Sequence, residues 1–171
     1  ANVIVAAGNI EIKEVIENVG GEAILTKSDH ASGSDRIYEA LNLYDKDSSY
    51  DNVINLQGDL PNIKKDALTK IVSLLDSSNS DISTLGVKIS SDQEILNPNI
   101  VKAYIKNLSD NNIVDDFDRS FDLSKKDFLY HHIGIYGYKR NALESFISFN
   151  QSKAEIDRKL EQMRALENDM K

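Results

Sequence analysis

Apolar and polar positions along the chain fall into short blocks whose period changes. Asn2–Ala6 (NVIVA) is almost continuously apolar and β-branched, which predicts a short buried strand. Ile10–Val19 predicts a helix, with Asn9 as N-cap and Gly20-Gly21 as its stop. Ala23–Thr26 predicts a second strand, and Lys27–Ser34 is polar with a glycine, hence a loop. In Asp35–Tyr44 the residues Ile37, Ala40, Leu41 and Tyr44 share one helical face, and Ser34 stands where an N-cap belongs. Val53–Leu56 predicts a third strand. Ala67–Leu75 predicts an amphipathic helix through Leu68, Ile71, Val72 and Leu75, and Asp81–Ile89 another strand.

The second half has a different rhythm. Val101–Lys106 and the region near Ile113 predict a hairpin around Ser109-Asp110-Asn111-Asn112. Leu129–Tyr138 alternates in part and predicts a strand. Asn141–Phe149 and Ala154–Leu166 predict helices, the last with Ile156, Leu160, Met163 and Leu166 on one stripe. The β-α-β-α-β-α order of the first half implies an α/β fold. Its mostly parallel sheet is covered by helices on both faces and followed by an antiparallel inserted region. No repeat or linker interrupts the chain, and Pro61 and Pro98 are its only prolines.

Four segments carry candidate chemistry. Strand Val53–Leu56 runs into Gln57-Gly58-Asp59, and open α/β sheets bind ligands beyond the carboxyl ends of their strands. A carboxylate at Asp59 can hold a hard cation such as Mg2+, with phosphate oxygens and water completing its shell. Alternatively Gly58-Asp59 is a turn in which Asp59 caps the next segment. In SDHASGSDR (Ser28–Arg36), small residues around Gly33 precede a helix. Its backbone N–H groups can bind an anion or a base edge, and Arg36 adds a planar cation. The plainer alternative is a capped helix start with Arg36 paired to an acid.

In YHHIGIYGY (Tyr130–Tyr138), alternation places His132, Gly134 and Tyr136 on one face and sends the adjacent His131 to the other. That face suits a hydroxyl-rich ligand, or else carries one exposed and one hydrogen-bonded histidine. Zinc fits poorly, because His30 is the only other histidine and there is no cysteine. In RKLEQMRALEN (Arg158–Asn168), Glu161, Gln162 and Arg164 form either a solvated helix face or, for Glu161 and Gln162, part of a site for sugar hydroxyls.

Composition narrows the classes. The chain of 171 residues suffices for one domain with a sizeable core, and its 40% hydrophobic and 28% charged residues are an ordinary globular mix. The net charge of −8 argues against non-specific nucleic-acid binding, which depends on Lys and Arg. The lack of cysteine rules out disulfides and suits a reducing cytosol. No apolar run reaches the length of a membrane span. The chain starts inside a strand-like run (ANVIVAAGN) and stops after a helix-like one (ALENDMK), so both ends of a longer natural chain are expected outside it.

Together, DHASGSDR, NLQGDLP, HIGIYGY and LEQMRALEND, in this order and spacing, resemble the CMP-Kdo synthetases, the 3-deoxy-manno-octulosonate cytidylyltransferases. The resemblance spans nearly the whole chain. It implies a single α/β domain over residues 1–171 of the nucleotide-diphospho-sugar transferase type. That domain lacks the family's N-terminal phosphate-binding loop and the C-terminal segment with a second metal-binding aspartate. It implies transfer of CMP from CTP to Kdo (3-deoxy-D-manno-octulosonate) for lipopolysaccharide synthesis, with Mg2+, in the cytoplasm, by a homodimer, with no membrane or nucleic-acid partner.

By the same resemblance Asp59 is a Mg2+ ligand and Gln57 contacts substrate. Ser32, Gly33 and Arg36 lie on the cytidine side, and His132, Tyr136, Glu161 and Gln162 form the Kdo pocket. Arg119, within DDFDR, corresponds to an arginine facing the sugar acid. The chain departs from the family at Ala6-Ala7-Gly8, where Ala-Thr-Asp is common, and at Leu60, which replaces an acidic residue. A cytidylyltransferase for another sugar acid, such as a sialic acid, and a non-catalytic remnant that binds sugar nucleotides are the alternatives.

Overall fold

The first α/β units form as their patterns require. In a computed structural model, which describes residues 1–77, 79–107 and 112–171, strand β1 (Val5–Ala7) leads to helix α1 (Ile10–Asn18) and strand β2 (Ala23–Leu25). Asn9 caps α1, its side chain accepting the Ile12 N–H at 2.9 Å. The helix ends where Gly20, at φ 81°, adopts the left-handed backbone that glycine takes without steric cost. β1 and β2 pair in parallel, Val5 opposite Ala23. The strand predicted from Asn2 begins only at Val5. Asn2 instead reaches the hydroxyls of Tyr44 and Tyr50, at 2.6 and 2.8 Å.

The chain continues through α2 (Gly33–Tyr44), β3 (Asn52–Leu56), α3 (Lys65–Ser77), β4 (Ile82–Lys88) and α4 (Asp92–Leu96). Then come β5 (Lys102–Tyr104), β6 (Asp116–Asp118), a 3-10 turn over Leu123–Phe128 and the long strand β7 (Leu129–Lys139). Helices α5 (Arg140–Ser148), α6 (Lys153–Arg158) and α7 (Met163–Leu166) complete it. Among the described residues no helix is long and apolar enough to cross a membrane.

The architecture is α/β, but the expectation of a mostly parallel sheet is corrected. β7 runs antiparallel between β3 and β4, which are both bonded to it, so every ladder of this five-stranded sheet is antiparallel. Alternation of strand and helix gave the direction of β3 and β4 relative to each other. It carried no information about a later strand entering between them. The predicted hairpin also shifts. β5 pairs with β6 at Phe117 rather than with the region near Ile113, and Ser109–Asn111 of the expected turn lie outside the described residues.

Strand alternation on β7 builds two layers. Tyr136 and Tyr138 pack with Leu143, Phe146 and Ala165, with Ile37, Leu41 and Val53 against them. Gly137 faces the opposite way, onto Ile71 and Leu75 of α3, both 1% exposed. A Cβ at Gly137 would stand 2.7 Å from Ser83 Oγ and 3.0 Å from Leu75 Cδ1, so the absence of a side chain sets how closely α3 approaches the sheet. Gly137→Ala is therefore expected to cost about 1–3 kcal/mol through overpacking, read as a shift in the urea midpoint. An unchanged midpoint would refute this account of the α3 contact.

Candidate functional site

The carboxyl end of β3, the start of α2 and the inner face of β7 open onto one cleft of about 620 Å3, closed on its far side by α6 and the segment after it. The volume lies in the range of small-molecule sites. Seven predicted residues line it: Ser32, Gly33, Gln57, His132, Tyr136, Glu161 and Gln162. Arg36, Asp59 and Arg119 do not.

The start of α2 is set by Ser32, not Ser34. Ser32 has the extended backbone of an N-cap, and its hydroxyl accepts the Asp35 N–H at 3.3 Å. Ser34 is instead fully buried. Its hydroxyl pairs with the Tyr138 hydroxyl at 2.9 Å, and its N–H donates to Glu161 Oε2 at 3.3 Å. Gln57 lies across the strand face so that its Oε1 would be 3.3 Å from a Cβ on Gly134.

The predicted helix Ala154–Leu166 is broken in two, and this correction makes the site. Ser152 and Glu155 form a capping box at the start of α6, and Lys159, at φ 55°, stops that helix. Helix resumes only at Met163, so Glu161 and Gln162 sit in the break and reach the cleft. Arg164, which a continuous helix could have left on a solvated face, is 2% exposed. It forms a two-pronged bond with Glu155, Nε to Oε2 at 2.8 Å and Nη2 to Oε1 at 2.6 Å. Nη1 stands 3.4 Å from Asp35 Oδ1, and the guanidinium lies 4.6 Å from the Phe146 ring centre.

Burial keeps two of the cleft groups, His132 and Tyr136, neutral. Burial, and then the nearby His131, lower the His132 pKa to about 4. Burial, with the Glu161 charge beside it, pushes the Tyr136 hydroxyl well above its usual value. Tyr136 donates to Gln162 Oε1 at 3.2 Å, which leaves the Gln162 amide N–H groups for another partner. Glu161 Oε1 is sealed from solvent and, among the described residues, has no hydrogen-bond partner. His131 also borders the cleft, contrary to strict alternation, while its Nδ1 lies 3.8 Å from Glu94 Oε1.

The three remaining candidates have other surroundings. Among the described residues Arg36 is not paired to an acid. It donates to Thr26 Oγ1 and to the Lys27 carbonyl, both at 2.8 Å, and lies against Gly8. Asp59 is exposed in the turn closed by Leu60 N–H and the Gln57 carbonyl at 3.2 Å, so the turn alternative for Gly58-Asp59 holds for the backbone. Among the described residues no group of three or more His, Cys, Asp or Glu could hold a metal ion. The Arg119 guanidinium meets the Pro98 and Asn99 carbonyls at 3.4 Å, behind the rim that Asn99 contributes to the cleft. Its peptide is held by the buried Lys102, whose Nζ donates to the carbonyls of Asn97 and Arg119 at 2.6 and 2.5 Å. Burial lowers the Lys102 pKa.

Sequence reasoning missed Glu155, Lys102 and the structural use of Arg164. The Ser152-x-x-Glu155 spacing was a readable signal of a helix start, and so of a break in the longer helix. Nothing in the sequence indicated the pairing of Lys102 with two distant carbonyls.

The profile of the cytidylyltransferase family matches residues 1–171. The 3-deoxy-manno-octulosonate cytidylyltransferase of Bartonella tribocorum is 44% identical over 169 residues, covering 98% of this chain and 70% of that protein. The same-named protein of Brucella ovis is 44% identical over 170 residues, covering 98% and 68%. A solved structure of CMP:2-keto-3-deoxy-manno-octonic acid synthetase complexed with CTP superposes with a TM-score of 0.84 at 30% identity, covering 99% of this chain and 69% of that one.

The Glu155–Arg164 pair makes a testable demand. Burial alone would raise the Glu155 pKa, but the bonds from Arg164, Gln151 and the Ser152 backbone outweigh it and hold the value below 4.5. A lowered folded-state pKa means that its stabilisation is complete above about pH 4.5 and is lost as pH falls through the folded value. Arg164→Ala, which strands the buried carboxylate, is expected to cost about 3–5 kcal/mol at pH 7 by chemical denaturation. The stability gap between wild type and Glu155→Gln should narrow as pH falls below 4.5, and a gap independent of pH between 7 and 3 would contradict the pairing.

Proposed function

Because the chain belongs to the cytidylyltransferase family, we propose that it transfers CMP from CTP to Kdo, releasing pyrophosphate and supplying activated sugar for lipopolysaccharide synthesis. The anomeric hydroxyl oxygen of Kdo forms a bond to the α-phosphorus of CTP as the bond to pyrophosphate breaks, and the hydroxyl proton is released to water. Ser32 and Gly33, at the start of α2, face the cytidine side. The N–H groups and dipole of that helix end favour an anionic ligand. Gln57 lies between the two halves of the cleft, while His132, Tyr136, Glu161 and Gln162 hold the sugar acid. Holding both reactants in one cleft supplies orientation.

The single observation that carries this reading is the set of neutral polar groups gathered on one cleft: the His132 imidazole, the Tyr136 hydroxyl and the Gln162 amide. Such groups offer hydrogen-bond donors and acceptors without charge. A polyhydroxylated sugar matches that set.

Mg2+ fits the donor chemistry of Asp59, an exposed carboxylate two residues beyond Gln57, provided that phosphate oxygens and water supply the remaining ligands. When bound there it would offset the charge that develops on the phosphates. Arg36, in the first turn of α2, and Arg119, behind the rim that Asn99 contributes, add positive charge for two anionic reactants. We assign the protein to the cytoplasm as a homodimer, in the nucleotide-diphospho-sugar transferase fold, with residues 1–171 as one domain.

Two measurements test the assignment. Purified full-length protein should release pyrophosphate from CTP faster with Kdo than with N-acetylneuraminate, and the reverse order would overturn the substrate. Asp59→Asn should lower kcat about 100-fold or more with an unchanged far-UV spectrum. An unchanged rate with the same Mg2+ requirement would remove Asp59 from the metal site.

A further inference from the structure

Pairing between β4 and β7 changes register at the cleft. Thr84 lies opposite Tyr136, but the next residue, Leu85, lies opposite Ile133, so Gly134 and Ile135 are skipped. The Thr84 side chain fills this irregularity. Its hydroxyl oxygen is 2.7 Å from the Ile135 carbonyl, 3.3 Å from the Ile133 carbonyl and 2.9 Å from His132 Nε2.

A hydroxyl has one proton, and both carbonyls only accept. If Thr84 donated to His132, its oxygen would face the Ile135 carbonyl at 2.7 Å with no proton between them. The proton therefore goes to Ile135, and His132 Nε2 carries its own proton and donates to Thr84. The ring is held between Phe117 and Tyr136, with centroids 5.0 and 5.4 Å away, and its backbone N–H donates to the Val101 carbonyl at 2.9 Å. Burial opposes a second ring proton. Among the described residues Nδ1 has no partner. Unlike Glu161 Oε1 it is not sealed from solvent, so it opens on the cleft that His132 lines.

We propose that Thr84 is a positioning residue that locks His132 as the Nε2–H tautomer, so that Nδ1 accepts a hydrogen bond from a hydroxyl of the ligand in the cleft. The lock itself follows from the strand irregularity, whereas the identity of the hydroxyl rests on the sugar-acid reading above. The arrangement also divides labour within the cleft. Nδ1 accepts, the Gln162 amide donates, and a ligand must present a hydroxyl donor to the first and an acceptor to the second. Thr84 stands on the far side of His132, where it lines a separate apolar cavity, and so acts without touching substrate.

Long-range proton–nitrogen NMR spectra of full-length protein labelled at histidine nitrogens test the lock directly, with His132→Ala identifying the signal. The expected result is a protonated Nε2 and a bare Nδ1, and a proton on Nδ1 overturns the proposal. Thr84→Val should raise KM for Kdo about tenfold, the worth of one hydrogen bond, with KM for CTP unchanged. Thr84→Ser should keep both the tautomer and the wild-type KM. Equal rises for both substrates, or a serine variant with Nδ1 protonated, would overturn it. Should Thr84→Val fail to fold, the wild-type and serine spectra still decide. No turnover of Kdo by a protein with Nε2 protonated defeats the substrate reading and leaves the lock standing.

Discussion

The site depends on one buried cation. Arg164 is almost wholly removed from water, and a guanidinium remains charged at any pH the fold survives, so its bonds must be supplied by the protein. Glu155 from α6 supplies two, Asp35 from the first turn of α2 a third contact, and the Phe146 ring from α5 covers a face. Three helices distant in the chain are thereby held to one point. Because Arg164 must face inward at the start of α7 while Glu155 faces inward from α6, a continuous helix between them is not available. The left-handed turn at Lys159 and the irregular residues after it satisfy both demands. Glu161 and Gln162 are projected into the cleft as a consequence.

A second constraint acts from the sheet. β7 serves three strands and both layers, so each of its residues except Gly134 has a strand partner. Gly137 must be bare for α3 to approach, Tyr138 fills the helical layer, and Tyr136 and His132 face the cleft with their hydroxyl and imidazole held by Gln162 and Thr84. Burial by these neighbours keeps both groups uncharged. At these two positions the cleft therefore presents neutral donors and acceptors, and beside them Glu161 Oε1 has no hydrogen-bond partner among the described residues. Arg36 and Arg119 do not line the cleft, and their guanidinium groups rest on backbone carbonyls.

Local signals were the legible ones. Asn9 before an apolar-periodic run and Gly20-Gly21 after it marked α1 correctly, because caps act within a few residues. The four motif segments marked the cleft, since seven of the site residues predicted from them line it. Ser34 was misread as a cap because its spacing to the helix is as good as that of Ser32. Only the Tyr138 hydroxyl, supplied by a strand about a hundred residues later, draws Ser34 into the core. The sheet was misread as mostly parallel for a similar reason, since a strand inserted from the second half changes the neighbours of β3 and β4 without altering their own pattern.

By itself the sequence determined the kinds of element, their order through the first half, and most of the candidate residues that line the cleft, because period, capping and motif spacing are properties of nearby residues. Tertiary structure alone decided which strands are neighbours, where the last helix breaks, and which charges are buried. Those outcomes depend on partners far away in the chain, as with Arg164 and Asp35, Lys102 and Arg119, and Thr84 and His132. Burial and hydrogen bonding act on whatever folding brings within reach, and distance along the chain does not encode that.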